Sequence, residues 1–349
     1  MVNQIRVTAL IGLALCSSSV GAIEITDNFE IHGYGHAGYL KTSANQYLKA
    51  DSSGTFNYNS AAALFTLTLN EKTKLWAQAF TSSTGTKNAR WDWVFLDYRP
   101  LENLALHIGQ VKMPMGLYND VRDIAYLQLS TIQPTLYQEA ADFVEEAFQG
   151  VAVVYDHNIG NGSLSWDIYA GKSVSFDPAE PVHTNMSGLR LTYNTPVEGL
   201  RFMISSHRAH IENVENFEES VTGIERSYLL SADYVTDSLD LKAEYGKRKV
   251  FGNTVESGYI QAGYTFSGKW TPFIRKEFIT TDSDQRDNPA FYQKTTSIGL
   301  GYKINRNLAV RIEEHFHNGY ALPLSSGEVE ADSASQHWNM FSTSLIFMF

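Results

Sequence analysis

An alternation of period two, repeated in segments of about ten residues along most of the chain, constrains the fold more than any other feature. In residues 228–234, Tyr228, Leu230, Ala232 and Tyr234 share one face, while Leu229, Ser231 and Asp233 share the other. After Thr236, Asp237 and Ser238, the next segment sets Leu239, Leu241, Ala243 and Tyr245 against Asp240, Lys242, Glu244 and Gly246, so the two read as a hairpin. The same figure recurs at Leu164, Trp166 and Ile168, at Leu189, Leu191 and Tyr193, at Leu200, Phe202 and Ile204, and at Leu308, Val310 and Ile312. About sixteen such segments fit between residues 29 and 349, each the length a tilted strand needs to cross the hydrocarbon layer.

A soluble antiparallel protein also alternates, with its apolar rows turned to a packed core. Two features favour a membrane barrel instead. Short turns near residues 70–73, 100–103, 158–162, 196–199, 236–238, 267–269 and 304–307 alternate with longer polar connections near 42–55, 174–184, 211–222, 280–290 and 318–335. That is the asymmetry of periplasmic turns and extracellular loops, and an even strand count leaves no open edge. Aromatic residues also fall at segment ends, at Tyr39, Trp76, Trp93, Tyr155, Tyr234, Tyr245, Trp270, Tyr302 and Trp338, where they suit interfacial girdles. The expected fold is all-β: a closed transmembrane antiparallel barrel of about sixteen strands with both termini on the short-turn side.

Residues 1–22 have the composition of an export signal: a basic start through Arg6, an apolar run too short to span a bilayer, and small residues ending at Ala22. Cleavage there would remove Cys16, the one cysteine, and leave residues 23–349 as a single domain without thiol chemistry. Leu15 precedes Cys16 where a lipidation motif wants a small residue, so a lipid anchor is the weaker reading. The net charge of -11 disfavours nucleic acid as a partner. No Gly-x-Ser-x-Gly elbow accompanies the available Ser and His, so no catalytic residues are assigned. His32 and His36 share a strand face but stand about 13 Å apart, too far for one metal ion; no metal and no cofactor is expected.

One connection breaks the rhythm. About forty residues without sustained alternation separate the strands at 104–109 and 150–155. The connection opens on Gly109, Lys112, Pro114, Gly116, Leu117 and Tyr118, spaced Gly-x-x-Lys-x-Pro-x-Gly-Leu-Tyr. Here the chain resembles the trimeric Gram-negative outer-membrane porins, and the spacing is similar to the corresponding stretch of the phosphate-selective and related porin families. The resemblance implies an outer-membrane channel for passive diffusion of small hydrophilic solutes, a third loop (residues 112–147) folded into the lumen, and a homotrimer. The C-terminal segment ending at Phe349 resembles the signal read by the outer-membrane assembly machinery. Alternatives are a substrate-specific anion channel and a plugged barrel that serves as a surface scaffold.

Within the proposed constriction, Lys112 and Arg122 stand against Asp120, Asp123, Glu139, Asp142, Glu145 and Glu146. On the wall, Arg190, Arg201, Arg248, Arg275 and Arg311 have lumen parity, although Asp167, Asp233, Glu244, Glu277 and Glu313 share it. An acidic loop opposite a basic wall would set a transverse field across the opening. Gly33, Gly35 and Ala37 offer an outer row of small residues for contact between barrels.

Overall fold

The computed structural model describes residues 23–84, 89–138, 141, 143–174, 182–212 and 222–349; the export signal and the candidate residues Glu139 and Asp142 lie outside them. Seventeen strands form one antiparallel sheet. They are β1 (Ile23–Thr26), β2 (Phe29–Thr42), β3 (Thr55–Asn70), β4 (Thr73–Ser82), β5 (Arg90–Leu101), β6 (Leu104–Lys112), β7 (Ala147–Ile159), β8 (Gly162–Ser173) and β9 (Val182–Asn194). The remaining strands are β10 (Leu200–Glu212), β11 (Gly223–Val235), β12 (Leu239–Val250), β13 (Asn253–Tyr264), β14 (Trp270–Thr280), β15 (Tyr292–Lys303), β16 (Leu308–Gly319) and β17 (His337–Met348). One five-residue helix, α1 (Ala321–Ser325), precedes β17.

Strands β2 to β17 close a sixteen-stranded barrel, because β17 pairs with β2 from Met340↔Thr42 to Met348↔Tyr34. Closure pairs the edges of these sixteen strands with one another, which a spanning sheet in hydrocarbon requires. The extra strand, β1, was not legible in the sequence. It pairs with Phe29, Glu30 and Ile31 of β2, beyond the point where β17 stops. Phe349 completes the seam with two backbone bonds to Gly33, of 2.9 and 2.8 Å.

The period-two rows divide as the alternation predicts. Leu230 and Ile312 are 56% and 52% exposed on the outer face, while their neighbours Leu229 and Glu313 are 0% and 2% exposed inside. The outer row is apolar, as a transmembrane barrel requires, and the inner row mixes carboxylates, hydroxyls, arginines and some large apolar side chains.

Three girdle assignments are corrected by strand parity. Trp76, Trp93 and Trp338 point inward: Trp93 and Trp338 are buried, Trp76 packs against the cluster around Trp93, and Trp338 stacks on His317 at 3.9 Å. A β-bulge explains Trp93. Gln78 pairs with Trp93 and Ala79 with Trp91, so Asp92 is the extra residue and both Asp92 and Trp93 fall on the inner face.

Two of the small residues of β2 meet the last strand within the chain itself. An added Cβ on Gly33 would lie 2.2 Å from the ring of Phe349, and one on Gly35 would lie 2.2 Å from the Ser60 carbonyl and 2.9 Å from the ring of Phe347. Their bare faces are therefore already occupied by the last strand at the seam. Ala37, one step on, is exposed. We predict that Gly35→Val lowers the urea midpoint of vesicle-folded protein by the equivalent of ~1–3 kcal/mol, because β2 and β3 must separate, whereas Ala37→Val leaves it within experimental scatter.

Candidate functional site

Residues 113–146 connect β6 to β7, and single 3-10 turns at Asn119–Val121, Ala125–Leu127 and Thr135–Tyr137 are their regular structure among the described residues. Both ends of the connection are tied together at its root. The Met113 N–H donates to the Glu146 carbonyl at 3.0 Å, and the Asn119 carboxamide donates to the carbonyls of Met113 and Glu145 at 2.7 and 2.9 Å.

Lys112 is the electrostatic centre of that root. Its Nζ lies 3.0 Å from Asp92, 2.5 Å from Asp123 and 2.5 Å from Glu146, and its side chain is 4% exposed. The bulge on β5 supplies Asp92, the start of the connection Asp123, and its end Glu146. One ammonium with three donors thus joins three chain segments. The three carboxylates converge closely enough to suggest a cation site, but the Lys112 ammonium already supplies the positive charge. Arg90 and Arg122 approach Glu146 at 3.6 and 3.7 Å. Desolvation alone would push the Glu146 carboxyl up; Lys112, Arg122 and Arg90 together hold it below the usual carboxylate range.

From the root, hydrogen bonds run to inward side chains around the wall. The Leu117 N–H donates to Glu244 on β12 at 2.9 Å, the Thr135 N–H to Glu277 on β14 at 2.7 Å, and the Thr131 N–H to Glu313 on β16 at 2.7 Å. Hydroxyls reinforce two of these carboxylates: Tyr137 donates to Glu244 at 2.7 Å and Ser130 to Glu313 at 2.5 Å. Burial, with Glu244 adding to it, pushes the Tyr137 phenol well up, so it remains a proton donor. Thr131 and Ser344 of β17 share a further bond of 2.6 Å.

The Gly-x-x-Lys-x-Pro-x-Gly-Leu-Tyr spacing acquires physical meaning here. Gly109 and Gly116 have φ of +138° and +63°, and a Cβ at Gly116 would meet the Tyr137 hydroxyl and Glu244. Leu117 supplies the amide for Glu244, and Tyr118 accepts from Gln261 at 3.0 Å. Beneath these bonds the segment packs apolar side chains, including Met113, Met115, Leu136 and Phe143, against a cluster containing the inward Met186, Met203, Leu229 and Met340.

The expected acidic loop facing a basic wall is not the arrangement found. Among the loop acids, Asp120 pairs with Arg190, which also binds Asp167 at 2.9 Å. Burial pushes the Asp120 carboxyl up, against the pull of Arg190. Glu145 lies 2.9 Å from His183, which lies 3.3 Å from Glu225, itself bound by Arg248 at 2.8 Å. Arg275 binds Glu277 on its own strand at 3.1 Å and donates to the Ile132 carbonyl at 3.0 Å, and Arg311 donates to the Gln128 carbonyl. Arg201 forks onto Asp233 and makes no bond to the segment among the described residues. The wall carboxylates Glu244, Glu277 and Glu313 are the anchors that the basic-wall reading passed over. Their lumen parity was visible, but the partners lie 127, 142 and 182 residues away.

A closed, lipid-facing barrel with a polar interior and a long connection bonded to its inner wall defines an outer-membrane porin. The chain belongs to the family described as phosphate-selective porin O and P, whose profile matches residues 51–291. Solved structures share the fold. Salmonella typhi OmpF in complex with daunomycin is 13% identical with a TM-score of 0.64, over 94% of this chain and 100% of that one. The anion-selective porin from Comamonas acidovorans is 10% identical with a TM-score of 0.62, over 92% and 99%. A trimer form of OmpT from Vibrio cholerae is 12% identical with a TM-score of 0.61, over 93% and 100%. Comparison with curated proteins finds no match.

Lys112→Met leaves Asp92, Asp123 and Glu146 without their shared cation. The expected result is a loss of ~3–5 kcal/mol in chemical unfolding, with faster protease cleavage within residues 113–146, and partial recovery when Asp92→Asn is added.

Proposed function

We propose that residues 113–146 narrow the barrel and that small hydrophilic solutes diffuse passively through the opening that remains. The observation that carries this reading is the set of three backbone N–H groups, on Leu117, Thr131 and Thr135, donated to wall carboxylates on β12, β16 and β14. A connection held at its root by Lys112 and at its far side by these acids reaches across the interior rather than over the rim. Deleting about twenty residues from its middle raises single-channel conductance clearly if the protein assembles, and unchanged conductance rejects the reading.

The pore is proposed to favour cations weakly. Without residues 1–22 the chain carries 26 Lys and Arg (27 less Arg6) against 38 Asp and Glu, a net charge of -12. The wall arginines are committed to carboxylates or to loop carbonyls, which leaves little positive potential for anions. The reversal potential under a potassium chloride gradient at low ionic strength carries the sign of cation preference; an anion-selective value would favour a specific anion channel, the activity in the family's description. Homotrimerisation, lipid contact along the outer apolar rows and recognition of Phe349 by the assembly machinery complete the proposal; the trimer form of Vibrio cholerae OmpT supports the first. Native mass in mild detergent reads the assembly.

A further inference from the structure

A small cleft of about 70 Å³, open to solvent, lies between the segment and strands β2 to β4. Its wall side presents the hydroxyls of Ser60, Ser82 and Thr84 with the ring of Tyr58, and its segment side presents Gln128 and Gln133. Both glutamines donate Nε2 to one acceptor, the Arg122 carbonyl, at 2.7 and 2.8 Å. Those bonds fix the orientation of the two carboxamides and leave both Oε1 atoms as acceptors without a bond of their own among the described residues. Ser82 and Thr84 bond to each other at 3.0 Å, so one hydroxyl hydrogen of the pair is spent there and the other is left to donate.

The charges at the cleft are already occupied. Asp123 is held by Lys112, while Arg122 binds the Asn119 side chain and the Val144 carbonyl and lies near Glu146. Phosphate offers mainly acceptor oxygens and would face amide and carboxylate oxygens, with no uncommitted cation among the described residues that line the cleft. A neutral polyol offers hydroxyl donors for Gln128 and Gln133 and an acceptor for the hydroxyl hydrogen left on the Ser82–Thr84 pair, while Ser60 already bonds to His36 at 2.9 Å.

We infer that this cleft is a subsite for neutral polyhydroxylated solutes. The inference rests on the constricted-pore reading and names its solute class. Its test is single-channel current in potassium chloride with added glucose, sorbitol or potassium phosphate, normalised to bulk conductivity. Glucose or sorbitol reduces the current along a saturable curve, and phosphate does not. Gln133→Met and Thr84→Val each raise the half-saturating concentration by up to about tenfold, as the loss of one hydrogen bond predicts. Thr84 stands on the wall side and bonds only to Ser82 among the described residues, so its variant serves if Gln133→Met alters the unblocked conductance. Linear loss of current with polyol, saturable block by phosphate, or unchanged half-saturation in Thr84→Val overturns the subsite while leaving the porin standing. A protein that inserts and passes no current overturns both.

Discussion

Closure of the backbone ladder between β17 and β2 governs everything else in this molecule. Hydrocarbon offers no partner to an open strand edge, so the sheet must return on itself, and the two bonds between Phe349 and Gly33 finish that return. Once the ladder is closed, half of all strand side chains are forced inward. The interior becomes a polar surface on a fixed lattice, and each buried charge on it must find a partner or remain solvated.

The connection between β6 and β7 answers that requirement for one side of the interior. Glu244, Glu277 and Glu313 would be costly to desolvate alone, yet each accepts a backbone amide and two also accept a hydroxyl. The segment has the reciprocal need, since an irregular backbone in a barrel has unpaired N–H groups. Wall and segment therefore satisfy one another, and the arrangement depends on both. Apolar side chains add to it: Met186, Met203 and Leu229 point inward where a wholly aqueous lumen would have no use for them, and they meet Met113, Met115 and Leu136 of the segment.

Much of this was legible in the sequence, in proportion to how local each cause is. Period-two rows and the turns between them are set by neighbours, and the hairpins at 228–245 and elsewhere follow from them. The motif at Gly109 to Tyr118 marked the point where the rhythm fails. Other features depend on register or distant pairing. The bulge that turns both Asp92 and Trp93 inward arises from pairing with Gln78 and Ala79, and no local pattern announces it. β1 exists because β17 stops short along β2, a fact about the opposite end of the chain. The residues that bond the segment to itself and to the wall divide in the same way. Lys112, Asp120, Arg122, Asp123, Glu145 and Glu146 were identifiable from their place in the irregular segment. The anchoring role of Glu244, Glu277 and Glu313 was not, because parity shows which way a carboxylate points and nothing of what meets it.

Pairing also decides how far the interior charges act. A lone arginine projected into a narrow opening would set a strong local field, but Arg201 lies against Asp233, and Arg275 lies against Glu277. A compact pair of opposite charges has a field that falls off faster than that of a single ion, so solutes passing a few ångströms away meet dipoles rather than monopoles. Charges exposed to solvent are in turn screened by salt over about 10 Å at 0.1 M. Selectivity in such a pore rests more on which hydrogen-bond donors and acceptors line the opening than on the sum of charges in the chain. In the proposed subsite that weight falls on Gln128, Gln133, Ser82 and Thr84, residues that contribute nothing to the net charge.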